Sequence, residues 1–132
     1  MNPFETKSDG NIVRDAAIRQ ASHITEATLL NGVASLRDPG CPAKDYALVA
    51  DMGASTVWSI NVCTGMVNLA AQDVEMQAPA NSTPIGINGI KVRDNYLYWT
   101  NKAKFALYRV PIDTNTGISH ANATAELLVE NL

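Results

Sequence analysis

Charge is scarce in this chain. Asp, Glu, Lys and Arg make up 17% of its 132 residues, against roughly 25% in an ordinary soluble domain. The ten Lys and Arg stand singly and the net charge is −3, so no basic stripe exists to follow a phosphate backbone, and nucleic acid is not an expected partner. No apolar run approaches the roughly 18 residues that cross a bilayer, and the opening MNPFETKSDGNIVRD has no apolar signal core. Neither a membrane partner nor an export signal is expected, and the compartment stays open.

Chemistry-bearing residues are equally sparse. The two histidines, His23 and His120, have no metal-ligand spacing, and no G-x-S-x-G nucleophile elbow occurs. The two cysteines, Cys41 and Cys63, are compatible with a bridge in an oxidising compartment or with free thiols. Cys63 is expected late in a strand, opposite Trp58, Ile60 and Val62, in a packing role. Two sequons, Asn81-Ser82-Thr83 and Asn122-Ala123-Thr124, would accept glycans on a secreted parent.

What the chain does have is apolar, small and β-branched residues, 46% hydrophobic in all. That is enough for a core and leans towards sheet. It also repeats itself. Asn31-Gly32-Val33 returns as Asn88-Gly89-Ile90, and YALVADMGASTVWSINVCTG returns as YLYWTNKAKFALYRVPIDTNTG, matching Tyr46 with Tyr96, Asp51 with Asn101, Trp58 with Tyr108 and Ile60 with Val110. The first copy carries a loop insertion around PGCPAK, which surface connections tolerate.

Each copy reads as four short strands bounded by turn residues. These are NGVASL, YALVAD, TVWSINV and MVNLAAQ, then NGIKV, YLYWTN, ALYRVPI and AELLVEN. Four antiparallel strands at a period of about 50 residues mark a β-propeller blade. The expected fold class is therefore all-β, a partial six-bladed β-propeller. Residues 1–29 would hold the outer strand of a preceding blade within GNIVRDAAIRQ, 30–80 one blade and 81–132 another. Propellers close with 4 to 8 blades, so this chain is either a piece of a longer protein or completes a ring with copies of itself. Three copies would give six blades.

The segments LLNGVASL, LVADMGASTVWSINVCTG, GINGIKVRDNYLYWTN and LYRVPIDTNTG resemble the senescence marker protein, gluconolactonase and strictosidine-synthase-like six-bladed propellers, from about Gly10 to the end. GINGIKVRDNYLYWTN is most similar to fungal members, some of them hetero-Diels–Alderases. The resemblance implies that Asn31 and Asn88 open the innermost strands of successive blades and point into a central channel. There they would bind Ca²⁺ or another divalent cation in a lactone hydrolase, or hydrogen-bond a small organic substrate in a metal-free cyclase. Carboxamide oxygens suit a hard cation, but two Asn without a carboxylate do not make a site. Lactone hydrolysis is the leading expectation, cyclisation by orientation the second, and a non-catalytic binding module or inactive fragment the third.

Other signals read as structure. Asp113-Thr-Asn-Thr-Gly117 begins like a calcium loop, but loop position twelve is Thr124 rather than Glu, which leaves a hairpin turn. Asp51 and Asn101 are equivalent turn positions expected to bond nearby backbone. Trp58 and Tyr108 read as blade packing, and Tyr98 and Trp99 must face opposite ways.

Overall fold

The computed structural model describes residues 17–132 and, of the segment before them, the pairing of two short strands, β1 (Glu5–Thr6) and β2 (Ile12–Arg14). Of the outer strand expected within residues 10–20, Ile12–Arg14 form β2, residues 17–20 are in no strand, and the rest lie outside the described residues. The chain is all-β. Two four-stranded antiparallel sheets follow each other, each a meander in strict chain order. The first comprises β3 (Leu30–Leu36), β4 (Tyr46–Asp51), β5 (Thr56–Asn61) and β6 (Val67–Gln72). The second comprises β7 (Ile87–Arg93), β8 (Tyr96–Asn101), β9 (Ala106–Pro111) and β10 (Glu126–Glu130). This is the strand order of propeller blades, with β3 and β7 the inner strand of each.

Alternation along β8 and β9 explains how the sheets stack. Leu97, Trp99 and Asn101 are buried while Tyr96, Tyr98 and Thr100 are half-buried, and Ala106, Tyr108 and Val110 alternate likewise with Leu107, Arg109 and Pro111. The buried set joins Leu48, Ala50, Val57, Ala70 and Ala71 of the first sheet, together with Met76 and Ile87, in one core. Trp99 stacks on Tyr108 at 5.6 Å between ring centroids. On this face the first sheet offers mostly small side chains, Ala50, Ala70 and Ala71, against Trp99 and Tyr108 of the second, so small residues meet large ones across the join.

Loops complete the join. The Asp113–Gly117 segment is a local turn closed by the Gly117 N–H on the Asp113 carbonyl at 2.7 Å, with Asp113 Oδ1 accepting from the Asn115 N–H and Gly117 at φ +71°; it does not join the third and fourth strands directly, since β10 begins only at Glu126. It reaches back onto the first sheet, where the fully buried Ser59 hydroxyl donates to the Thr116 carbonyl at 2.6 Å and the Ser119 N–H donates to the Ala70 carbonyl at 2.8 Å. The equivalent Gly65 turn reaches back in the same way onto Ala21 and Ser22, whose hydroxyl donates to the Gly65 carbonyl at 2.8 Å.

One expectation is corrected. Cys63 is not in a strand, because β5 ends at Asn61. It is exposed in the following turn, its N–H given to Asn61 Oδ1 and its Sγ lying 3.1 Å from the Pro42 carbonyl. Neither cysteine is in a disulfide. The glycine of the first sheet's Asn-Gly pair serves the contact between the sheets. A Cβ on Gly32 would lie 2.7 Å from the Asn88 carbonyl oxygen, so its bareness lets β3 approach β7. Gly32→Ala is expected to destabilise the fold by about 1–3 kcal/mol, read as a lowered midpoint in urea; an unchanged midpoint would mean that the sheets do not meet as closely as described.

Candidate functional site

Both Asn-Gly pairs sit in β-bulges. In the first sheet Leu30 pairs with Asp51 and Val33 with Val49, so Asn31 and Gly32 together oppose Ala50. In the second, Ile87 pairs with Asn101 and Ile90 with Trp99, so Asn88 and Gly89 oppose Thr100. A bulge places one extra residue in the strand and re-aims its side chain. Here it does so at the same point of two successive inner strands, and Thr100 Oγ1 fills the gap in the ladder by accepting from the Gly89 N–H at 3.1 Å. The bulge was missed in the sequence reading, although a glycine inside a strand pattern is its ordinary signal.

The bulges bring the two expected site residues together. Asn31 Nδ2 donates to Asn88 Oδ1, and its second proton is directed at Met52 Sδ, 3.9 Å away. Asn31 is exposed and Asn88 half-buried. Among the described residues, nothing accepts from Asn88 Nδ2 and nothing donates to Asn31 Oδ1. The pair thus presents one amide donor and one amide acceptor at the lip of the inner strands.

Behind each bulge a buried polar side chain fixes the strand start. Asp51, with no exposed surface, is equivalent to Asn101, at 1% exposure. Asp51 accepts from the N–H groups of Thr28, Leu29, Gly53 and Ala54, from the Thr28 hydroxyl at 2.7 Å, and from Trp58 Nε1 at 3.4 Å. Burial alone would raise its pKa. The N–H groups of Leu29 and Thr28, the Thr28 hydroxyl and the Ala54 N–H outweigh that and hold the carboxyl well below the usual carboxylate range. Asn101 does the corresponding work on carbonyls: its Nδ2 donates to Glu75 at 2.9 Å and Gln77 at 2.8 Å, and its Oδ1 accepts from the Lys104 N–H. Turn chemistry was expected of both; the reach of Asp51 to Thr28 and of Asn101 to Glu75 was not.

Beside Asn101 lies a cluster that sequence reasoning passed over. Lys104 Nζ meets Glu75 Oε2 at 2.6 Å and lies 5.9 Å from the centre of the Tyr108 ring. The hydrogen bond from Lys104, then that from Tyr108, lowers the Glu75 pKa. Burial and the Glu75 bond push the Tyr108 phenol up to about 12. All three groups are spent on one another, which makes this a clamp on the β6–β7 loop rather than a reaction centre. No signal of spacing marks it, since Glu75 lies 29 residues before Lys104 along the chain.

A divalent cation, which the propeller resemblance implied, does not fit the donors here. Among the described residues no three His, Cys, Asp or Glu side chains converge. The Asn88 carboxamide oxygen is taken by Asn31, and the Asp51 oxygens are saturated. Hard cations need several free oxygens, at least one usually charged.

No protein-family model matches the chain. A protein of Phoma sp. provisionally named a hetero-Diels-Alderase is 32% identical over 137 aligned residues, taking in 95% of this chain and 38% of that protein. A protein of Sarocladium schorii with the same provisional name is 33% identical over 78 residues, 58% of this chain and 20% of that protein. The chain is thus related to fungal proteins of that name, and it spans well under half the length of either.

Asp51 carries a pH dependence with a defined sign. Its pKa is lower folded than unfolded, so the stabilisation is complete above the unfolded value near 3.8 and is lost as pH falls below it towards the folded value. Asp51→Asn, which turns an acceptor into a donor facing buried N–H groups, is expected to cost about 2–3 kcal/mol at pH 7. The gap to the native chain should shrink below pH 4 in thermal melts; a gap that stays constant would refute the ionised carboxylate.

Proposed function

We propose that this chain forms part of the substrate cavity of a six-bladed propeller that catalyses a metal-independent cycloaddition of the hetero-Diels–Alder kind on a small organic molecule. The observation that carries this reading is the 32% identity, over nearly the whole chain, to the Phoma protein named for that reaction. The donor set around Asn31 and Asn88 is in keeping with it. Lactone hydrolysis, the leading expectation from sequence, has no comparable support: neither relative is named a hydrolase, and the amide pair has no carboxylate partner among the described residues.

Such a reaction joins a conjugated diene to a carbonyl or similar heteroatom double bond. Two σ bonds form as π bonds are consumed, with no net proton transfer and no redox change. The protein's part is to fold the substrate so that the reacting termini meet, and to withdraw electron density from the heteroatom by a hydrogen bond. Asn88 Nδ2, free of protein acceptors among the described residues, is the donor suited to that heteroatom. Asn31 positions it by holding Asn88 Oδ1.

The test uses a substrate carrying both a diene and a carbonyl, with loss of diene absorbance as the readout, in the presence of a chelator. The native protein should accelerate cyclisation and bias its stereochemistry, and Asn88→Ala should lose about tenfold or more of the acceleration. Asn31→Ala should lose less. Activity that appears only with added Ca²⁺, or hydrolysis of a lactone in place of cyclisation, would overturn the reading.

A further inference from the structure

The two Asn-Gly pairs carry a latent reaction of their own. In such a pair the backbone nitrogen that follows the asparagine has no neighbouring side chain to shield it. It can attack the Asn Cγ, close a succinimide ring and expel ammonia. An ordinary strand suppresses this, because its N–H groups are tied into the ladder and its side chains stand away from the backbone. A bulge takes two residues out of that order. Asn31-Gly32 opposes Ala50 alone, and Asn88-Gly89 opposes Thr100 alone.

The two pairs differ in each group the reaction needs. At the second, the Gly89 N–H donates to a side chain, Thr100 Oγ1, at 3.1 Å, which offers its proton a way out. Asn88 Oδ1 accepts from Asn31 Nδ2, a donor placed to hold that oxygen as negative charge develops on it. At the first, Ala50 has no side-chain acceptor for the Gly32 N–H. Among the described residues nothing donates to Asn31 Oδ1, and the nitrogen that would leave is engaged by Asn88 Oδ1 and directed at Met52 Sδ. Gly32 is wedged as well: a Cβ on it would lie 2.7 Å from the Asn88 carbonyl oxygen and 3.3 Å from the Ile90 nitrogen, so its peptide has little room to turn towards the side chain. All of these contacts are made within and between the two sheets of this chain.

We propose that Asn88-Gly89 is a site of self-modification, cyclising to a succinimide well ahead of its repeat partner Asn31-Gly32 and opening to an acid. The Gly89 nitrogen forms the bond to Asn88 Cγ while its proton passes through the Thr100 hydroxyl to water. Asn31 Nδ2 holds Oδ1 through the tetrahedral stage. The Cγ–Nδ2 bond then breaks, and the nitrogen leaves with the bonding electron pair and takes up a proton from water, as ammonia. A water molecule opens the ring at either carbonyl. One opening gives aspartate and the other isoaspartate, which puts an extra methylene into the main chain at the bulge. Either product sets a carboxylate beside Asn31 where the chain first presents an amide, so the donor of the pair is lost and a charge is gained.

Hydroxylamine, which cuts a chain where a succinimide has formed, is the probe, with the fragments weighed by mass spectrometry. The purified chain is incubated with it at neutral pH, once native and once unfolded in urea. In the native chain the fragments 1–88 and 89–132 should exceed 1–31 and 32–132 by about tenfold or more. In urea the two cuts should proceed alike, because the flanking residues Leu30 and Val33 resemble Ile87 and Ile90. Thr100→Val, which removes the acceptor and keeps the branched side chain, and Asn31→Ala, which removes the donor, should each bring the native ratio down towards that of the unfolded chain. Should either variant fail to fold, the comparison of native with unfolded protein decides alone. Equal cutting at the two pairs in the native chain, or faster cutting after Asn31, would overturn the proposal. So would a native ratio that folded forms of both variants leave unchanged.

Discussion

Two inner strands can lie side by side at the bulges only because one of them lacks a side chain there. Gly32 faces the Asn88 carbonyl oxygen at a distance no Cβ could occupy. From that approach follow the meeting of the two carboxamides, the shared core of Trp99, Tyr108, Leu48 and Val57, and the docking of the Asp113–Gly117 turn onto Ser59. A larger residue at position 32 would push the sheets apart and loosen all three together, because a close-packed core transmits a displacement rather than absorbing it.

The strands themselves were legible from residue order. Alternation and turn residues place YALVAD and YLYWTN on β4 and β8, residue for residue. The repeat also pairs Asp51 with Asn101 in equivalent buried turns, since two copies of one local pattern must satisfy the same orphan backbone groups. The bulges were harder to read. Asn-Gly is an ordinary hairpin signal, and only the cross-strand pairing of Leu30, Val33, Ile87 and Ile90 shows the extra residue. Cys63 was misplaced because apolar alternation runs on through Val62 while the ladder ends at Asn61, whose side chain turns to accept from the Cys63 and Thr64 N–H groups.

The candidate site was legible in part. Repetition marks Asn31 and Asn88 as equivalent, and the structure brings them into contact across 57 residues of chain. That Asn31 spends its protons on Asn88 Oδ1 and towards Met52 is a matter of tertiary geometry that no spacing encodes. The choice between lactone opening and ring formation was not legible at all, because the same pair of neutral amides serves either chemistry until neighbouring groups decide.

The Asp113–Gly117 turn also sets a timetable. Ser59 and Ala70 find their partners, Thr116 and Ser119, only after some fifty further residues have joined the chain. While the chain is being synthesised, the face of the first sheet around Leu48 and Val57 stays wet until the second sheet has emerged. Contacts so distant in sequence form slowly, since the intervening chain must be ordered before they repay it. The nascent first sheet is therefore the stage most open to mispairing, and the cell's chaperones are the machinery that would meet it there.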